Sequence, residues 1–264
     1  MEPRTCSDDL KEEDIRIRAS AIIASGKTGD TNAIKPLIEI LENKSEVEWL
    51  RACAAIALGR LSSEEVIPPL INALQEDSMV VSRAVISALG DARNEQAIPP
   101  LQGILENQSK EELHAMTVTV LGEIGGREIT PTLLQALASL NDRVRARAAL
   151  ALGDLRTQEA VPPFMEMVKD SNECLRAIAA SSLGLIGDKR AVAPLIEALG
   201  DKAETVRVIA ASSLGCLGDS KAIPPLEQAL NDKSQTVRKQ ATAALLKLRA
   251  KEELIKVDGK NSET

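Results

Sequence analysis

One text recurs down this chain at a fixed period. VRVIAASSLGCLGDSKAIPPL starts at Val206, LRAIAASSLGLIGDKRAVAPL at Leu175 and VRARAALALGDLRTQEAVPPF at Val144, so that consecutive copies stand 31 residues apart. A period of roughly 20–50 residues marks a solenoid, in which each unit buries its apolar face only against its neighbours. The copy at Val206 reads as an Ala-rich helix to Leu217, a turn at Gly218 and Asp219, and a second helix opened by Pro224 and Pro225.

The Gly that follows Leu in each copy registers the whole chain. It falls at Gly26, Gly59, Gly90, Gly122, Gly153, Gly184 and Gly215, at spacings of 33, 31, 32, 31, 31 and 31. Eight residues earlier stand Arg18, Arg51, Ser82, His114, Arg145, Arg176 and Arg207. Eleven residues later stand Leu37, Leu70, Leu101, Leu133, Phe164, Leu195 and Leu226, six of them preceded by Pro. Pro is tolerated there because the first N–H groups of a helix have no intrahelical acceptor. Gly29, Gly125, Gly187 and Gly218 are placed to close the first helices in the left-handed conformation. Asp30, Asp188 and Asp219 are placed to cap the next helix. Apolar residues at Val206, Ala210, Leu214 and Leu217 lie on one helical face.

The ends depart from the pattern, as capping repeats do. Ser25 and Thr28 replace apolar residues in the first copy, and Ser7 or Asp8 is expected to start a polar lead-in helix. After Val237 the first helix is repeated once more to Leu254, with Leu246 where Gly would stand, so this helix is expected to run on. The resulting division is a lead-in over 1–14, an array over 15–250 and a polar tail over 251–264.

The text VRxxAAxALGxLGDxxAIPPLxxAL resembles the short HEAT-type repeat, also called the phycobilisome-lyase HEAT-like repeat. The resemblance spans about 15–250. It implies an all-α fold, a right-handed α-α superhelix (HEAT-like solenoid) of about seven two-helix repeats plus a terminal helix. It does not imply one function, because the family holds phycobilin lyase subunits, deoxyhypusine hydroxylase and many scaffold proteins.

Composition narrows the choice. Apolar residues make up 44 % of the chain and aromatics 1 %, namely Trp49 and Phe164, with no Tyr. A bilin is a large flat anion, and no aromatic cluster exists here to receive one. A formal charge of −7 argues against a nucleic acid partner, which calls for a basic stripe. Cys6, Cys53, Cys174 and Cys216 form no CxxC pair, and no secretory signal or membrane-length apolar run is visible. A cytoplasmic monomer with reduced thiols is the expectation.

The hydroxylase branch of the family implies His-Glu pairs just after the Arg position. Here those places hold Ala19-Ser20, Ala52-Cys53, Arg83-Ala84, Ala115-Met116, Ala146-Arg147, Ala177-Ile178 and Val208-Ile209. His114, the one histidine, occupies an Arg position instead. No metal, cofactor or catalytic residue is therefore assigned.

Two sets of residues stand out. Arg18, Arg51, Arg145, Arg176, Arg207 and Arg238 recur at one position, with Asp170, Asp201 and Asp232 each six residues before an Arg, which points to a structural ladder. Counting each first helix from the residue nine before its Gly, positions 4, 7 and 11 share a face apart from the core. In a superhelix of the kind implied, that face is concave. Its contents vary: Cys53, Ile56, Arg60; Ala84, Ser87, Asp91; Met116, Thr119, Glu123; Arg147, Leu150, Asp154; Ile178, Ser181, Leu185; Ile209, Ser212, Cys216. Arg83, at position 3, borders it. A non-catalytic scaffold binding a protein or peptide on this face is the expected function, with a bilin lyase-type or other enzyme-associated subunit as the alternative. Two dispositions of Ile178, Leu185 and Ile209 stay open, exposure in a groove or burial between repeats.

Overall fold

The computed structural model describes residues 9–76 and 78–261, with side chains to residue 251. Ser7, Asp8 and Cys6 lie outside the described residues, as do the last three residues of the tail. Among the described residues there are fifteen α-helices and no strand. The chain divides into two compact units, Met1–Ile129 and Thr130–Thr264.

The first unit holds α1 (Ile15–Thr28), α2 (Ile34–Glu42), α3 (Glu48–Leu61), α4 (Ile67–Ala73), α5 (Met79–Ala92), α6 (Ile98–Glu106) and α7 (Glu111–Ile124). The second holds α8 (Thr130–Ala136), α9 (Asp142–Asp154), α10 (Val161–Met167), α11 (Glu173–Ile186), α12 (Val192–Ala198), α13 (Glu204–Leu217), α14 (Ile223–Ala229) and α15 (Gln235–Asn261). Odd-numbered helices are the first of each repeat and even-numbered ones the second. Within each unit, each odd helix packs on the next odd helix, and each even helix packs on the odd helix that follows it, the layering of an α-α solenoid.

The turns follow from local chemistry. Gly29, Gly187 and Gly218 close their helices at φ of 72°, 82° and 66°, their N–H groups donating to Ser25, Leu183 and Leu214 carbonyls. The carboxylates of Asp30, Asp188 and Asp219 then accept from the N–H two residues on, starting a 3₁₀ turn that feeds the Pro-bearing second helix. Gly125 departs from the left-handed expectation: with φ 81° and ψ −160° it takes an extended mirror-image conformation open to glycine alone. Ser62 and Arg93 adopt φ of 49° without being glycine, at about 1–2 kcal/mol each.

The core is aliphatic, as the scarcity of aromatics requires. Leu37, Leu70, Leu101, Leu133, Phe164, Leu195 and Leu226 are all fully buried, and so are Leu58, Leu89, Leu121, Leu152, Leu183 and Leu214. Each contributes about 1.5–3 kcal/mol. Ser25 sits in the same series, fully buried, its hydroxyl without a partner among the described residues.

Glycine sets the approach of the odd helices. A Cβ added to Gly59 would meet Ala88 Cα at 2.5 Å, and one on Gly215 would meet Ala244 Cα at 3.0 Å. In the second unit serines use this closeness: Ser182 Oγ donates to Ala149 O at 3.2 Å and Ser213 Oγ to Ala180 O at 2.8 Å. The final helix lacks the glycine. Leu246 stands there 67 % exposed, and α15 continues past Leu254 to Asn261.

Candidate partner-binding site

The recurring arginines set the frame that holds the variable face. Arg176 donates from Nε and Nη2 to the two carboxylate oxygens of Asp201, at 2.7 and 2.9 Å. Its Nη1 donates to the carbonyls of Asp170 and Ser171 at 2.9 and 3.0 Å. Arg207 does the same to Asp232, Asp201 and Lys202. Each Asp thus serves two arginines: its carboxylate goes to the preceding repeat and its carbonyl to its own. Arg145 reaches Asp170 at 2.6 Å.

In the first unit Glu replaces Asp, with Arg18 on Glu46 at 2.7 Å and Arg51 on Glu76 at 2.6 Å. Ser82 is too short for the task, and Lys110 supplies the missing cation, its Nζ donating to Leu74 O at 2.7 Å and Glu76 O at 3.1 Å. His114 holds Asn107 O at 3.1 Å through Nε2.

The arginine hydrogen bonds hold the Asp201 and Asp232 carboxyls below the usual range, against desolvation that acts the other way. For Asp170 burial is the largest influence and raises the pKa. The Asn172 N–H and Arg145 together overcome it, and the net direction is down.

On this frame the odd helices present their positions 4, 7 and 11. In the first unit Cys53, Ile56, Met116 and Thr119 are half-buried, Ala84 is buried, and Arg60, Asp91 and Glu123 are exposed. Arg83 is exposed and pairs with Glu112 at 3.2 Å. In the second unit Arg147, Asp154, Ser212 and Cys216 are exposed. Leu150 and Leu185 are exposed at 42 % and 43 %, while Ile178 and Ile209 are half-buried beside Ser181. In these six repeats position 4 is buried or half-buried except at Arg147, whereas position 11 is exposed throughout.

A second apolar group escaped the pattern of repeated positions. Trp49, Val80 and Ile23 in the first unit are 46 %, 48 % and 47 % exposed. Trp49 and Val80 hold the same position on adjacent helices, one residue before the buried Leu50 and Val81. The 31-residue spacing between them was the available signal. Burial pushes the Cys53 thiol up, which keeps it protonated. Among the described residues no three His, Cys, Asp or Glu side chains are grouped to hold a metal ion, and no helix is long and apolar enough to cross a membrane.

A family model described as HEAT repeats matches residues 43–115, 104–175 and 163–247. Among solved structures, the Escherichia coli protein YibA is similar at 23 % identity and a TM-score of 0.68, over 92 % of this chain and 91 % of that one. A chain of the CpcE–CpcF complex of phycocyanin lyase from Nostoc is similar at 24 % identity and a TM-score of 0.52, over 93 % and 96 %. An engineered protein is similar at 18 % identity and a TM-score of 0.56, over 92 % of this chain and 77 % of that one. At these identities the likeness speaks for the fold. No match is found among curated protein sequences.

Proposed function

Because this chain belongs to the HEAT-repeat family, whose fold carries many activities, we propose that it is a non-catalytic adaptor that binds a protein or peptide across the variable face of the odd helices of its second unit. The observation that carries this reading is the apolar content of that face in the second unit. Leu150 and Leu185 are exposed at 42 % and 43 % with Ile178 and Ile209 half-buried beside them. The repeat needs no apolar residue at these positions, because other repeats hold Arg147 at position 4, Ser87, Thr119 and Ser212 at position 7, and Arg60, Asp91 and Glu123 at position 11. An amphipathic helix or extended peptide buries such a strip. Arg147 and Asp154 at one margin supply polar contacts that fix its register.

The test is affinity capture from the source cell with the native chain and with a Leu185→Asp, Ile209→Asp variant. Circular dichroism is used to confirm that the variant is folded. Loss of the captured proteins from the variant is expected. An unchanged set would overturn the reading.

A further inference from the structure

The last rung of the ladder differs from the others. In Arg176 and Arg207, Nη1 donates to carbonyls five and six residues back, while the Nε–Nη2 edge takes an Asp carboxylate from the turn before the next odd helix. Arg238 repeats the first half of this pose, with Nη1 at 2.7 Å from Asp232 O and 3.1 Å from Lys233 O. Among the described residues no turn follows it, α15 running unbroken to Asn261. Among the described residues no acceptor stands on Nε or Nη2 of Arg238.

The surroundings have the matching character. From Lys233 to Lys251 the chain holds six cationic residues and no Asp or Glu, although its overall charge is −7. Arg249 is paired with Glu227 and Lys251 reaches Gly218 O, whereas Lys233, Lys239 and Lys247 are exposed. Arg207, Ala211 and Gly215 of α13 are buried, with Gly215 against Ala244 of α15. Their counterparts on α15 are the half-buried Arg238 and the exposed Thr242 and Leu246.

We propose that this face of α15 docks an acidic segment of a partner protein: a turn whose Asp or Glu lies on the Nε–Nη2 edge of Arg238, leading into a helix that crosses Thr242 and Leu246. A planar guanidinium edge held by two carbonyls matches a carboxylate bidentately. One such edge with three lysines and an exposed leucine falls short of the basic stripe that nucleic acid requires. A helix docked here cannot approach as closely as the internal junctions do, because Leu246 stands in the way, and a second copy stacked at the internal spacing is disfavoured for the same reason. Internal junctions have glycine there, with a Cβ clearance of only 2.5 Å at Gly59.

The probe is a fluorescein-labelled peptide of this chain's own Asp201–Leu217, the segment that sits on Arg176 within the array, together with its Asp201→Asn form. Binding to the full chain is read by anisotropy. The Asp peptide is expected to bind about tenfold more tightly than the Asn peptide. Leu246→Gly should tighten both by restoring the close junction. Arg238→Met and Arg238→Lys should each erase the Asp–Asn difference while the thermal melt shows a folded chain; the lysine form separates the planar edge from mere charge. Equal binding of the two peptides overturns the proposal. So does a difference that survives Arg238→Lys, or no binding of either peptide to the native chain up to about 0.5 mM. Displacement of the peptide by a short DNA duplex in preference to an acidic peptide reassigns the face to phosphate and equally overturns it.

Discussion

Asp201 and Asp232 have the most demanding local roles in this protein. Each offers a carboxylate to one repeat, a carbonyl to another, and an oxygen to the N–H two residues on, at 2.8 Å in Asp201 and 2.7 Å in Asp232. Their carboxyl pKa values are lowered in the folded state. The stability they contribute is therefore complete above the unfolded value of about 3.9 and is lost as pH falls through the folded one. The arginines stay charged throughout this range. The urea midpoint is expected to be flat from about pH 7 to 5 and to fall below about pH 4. Asp201→Asn should cost about 1–3 kcal/mol at neutral pH and shrink the acid loss. A variant with the wild-type acid profile would show that the carboxylate does not act this way. The Arg–Asp register was legible in the sequence, but the direction of the pairing was not. An Asp six residues before an Arg looks like its partner, whereas the folded chain gives that Arg the carbonyl and sends the carboxylate back one repeat.

At the scale of the helix, identical substitutions have opposite effects. Gly103 lies within α6 with nothing within 4 Å of an added Cβ. Gly103→Ala should therefore stabilise by up to about 1 kcal/mol through helix propensity alone. Gly59→Ala gains the same propensity but drives a methyl onto the Ala88 backbone at 2.5 Å. Overpacking of about 1–3 kcal/mol outweighs the gain, and the variant should unfold at lower urea. Equal midpoints for the two variants would show that helix approach is not set by glycine. The helices and their turns were readable because the period, the Pro pairs and the Gly-Asp turns all point to one architecture. The 31-residue spacing of Trp49 and Val80 was readable, but their exposure was not. Both precede a buried residue at a helix start, and only the placement of neighbouring helices decides whether such a residue is covered.

For the molecule as a whole, stability is a sum over neighbours. Phe164 is fully buried in α10. Phe164→Ala should cost about 3–5 kcal/mol, felt mainly by α10 and α11. Hydrogen exchange is expected to show lost protection there, with α3 and α5 unchanged; uniform loss along the chain would mean that the array melts as a block. The variable face follows the same division: its positions were legible from the repeat, but the half-burial of Ile178 and Ile209 depends on a helix spacing that no single repeat encodes. The ladder has a further consequence for how such a chain changes length. Arg176 reaches 25 residues forward to one oxygen pair and 6 residues back to another, and together those spans make the 31-residue step to Arg207. Duplicating a whole module such as that of Arg176 or Arg207 supplies the new arginine with both acceptors, whereas an insertion between an arginine and the next Asp displaces the carboxylate alone and must be absorbed by the turn, as in the 28-residue reach of Arg18 to Glu46. The ladder is in that sense a reading frame for gene duplication, written in hydrogen bonds.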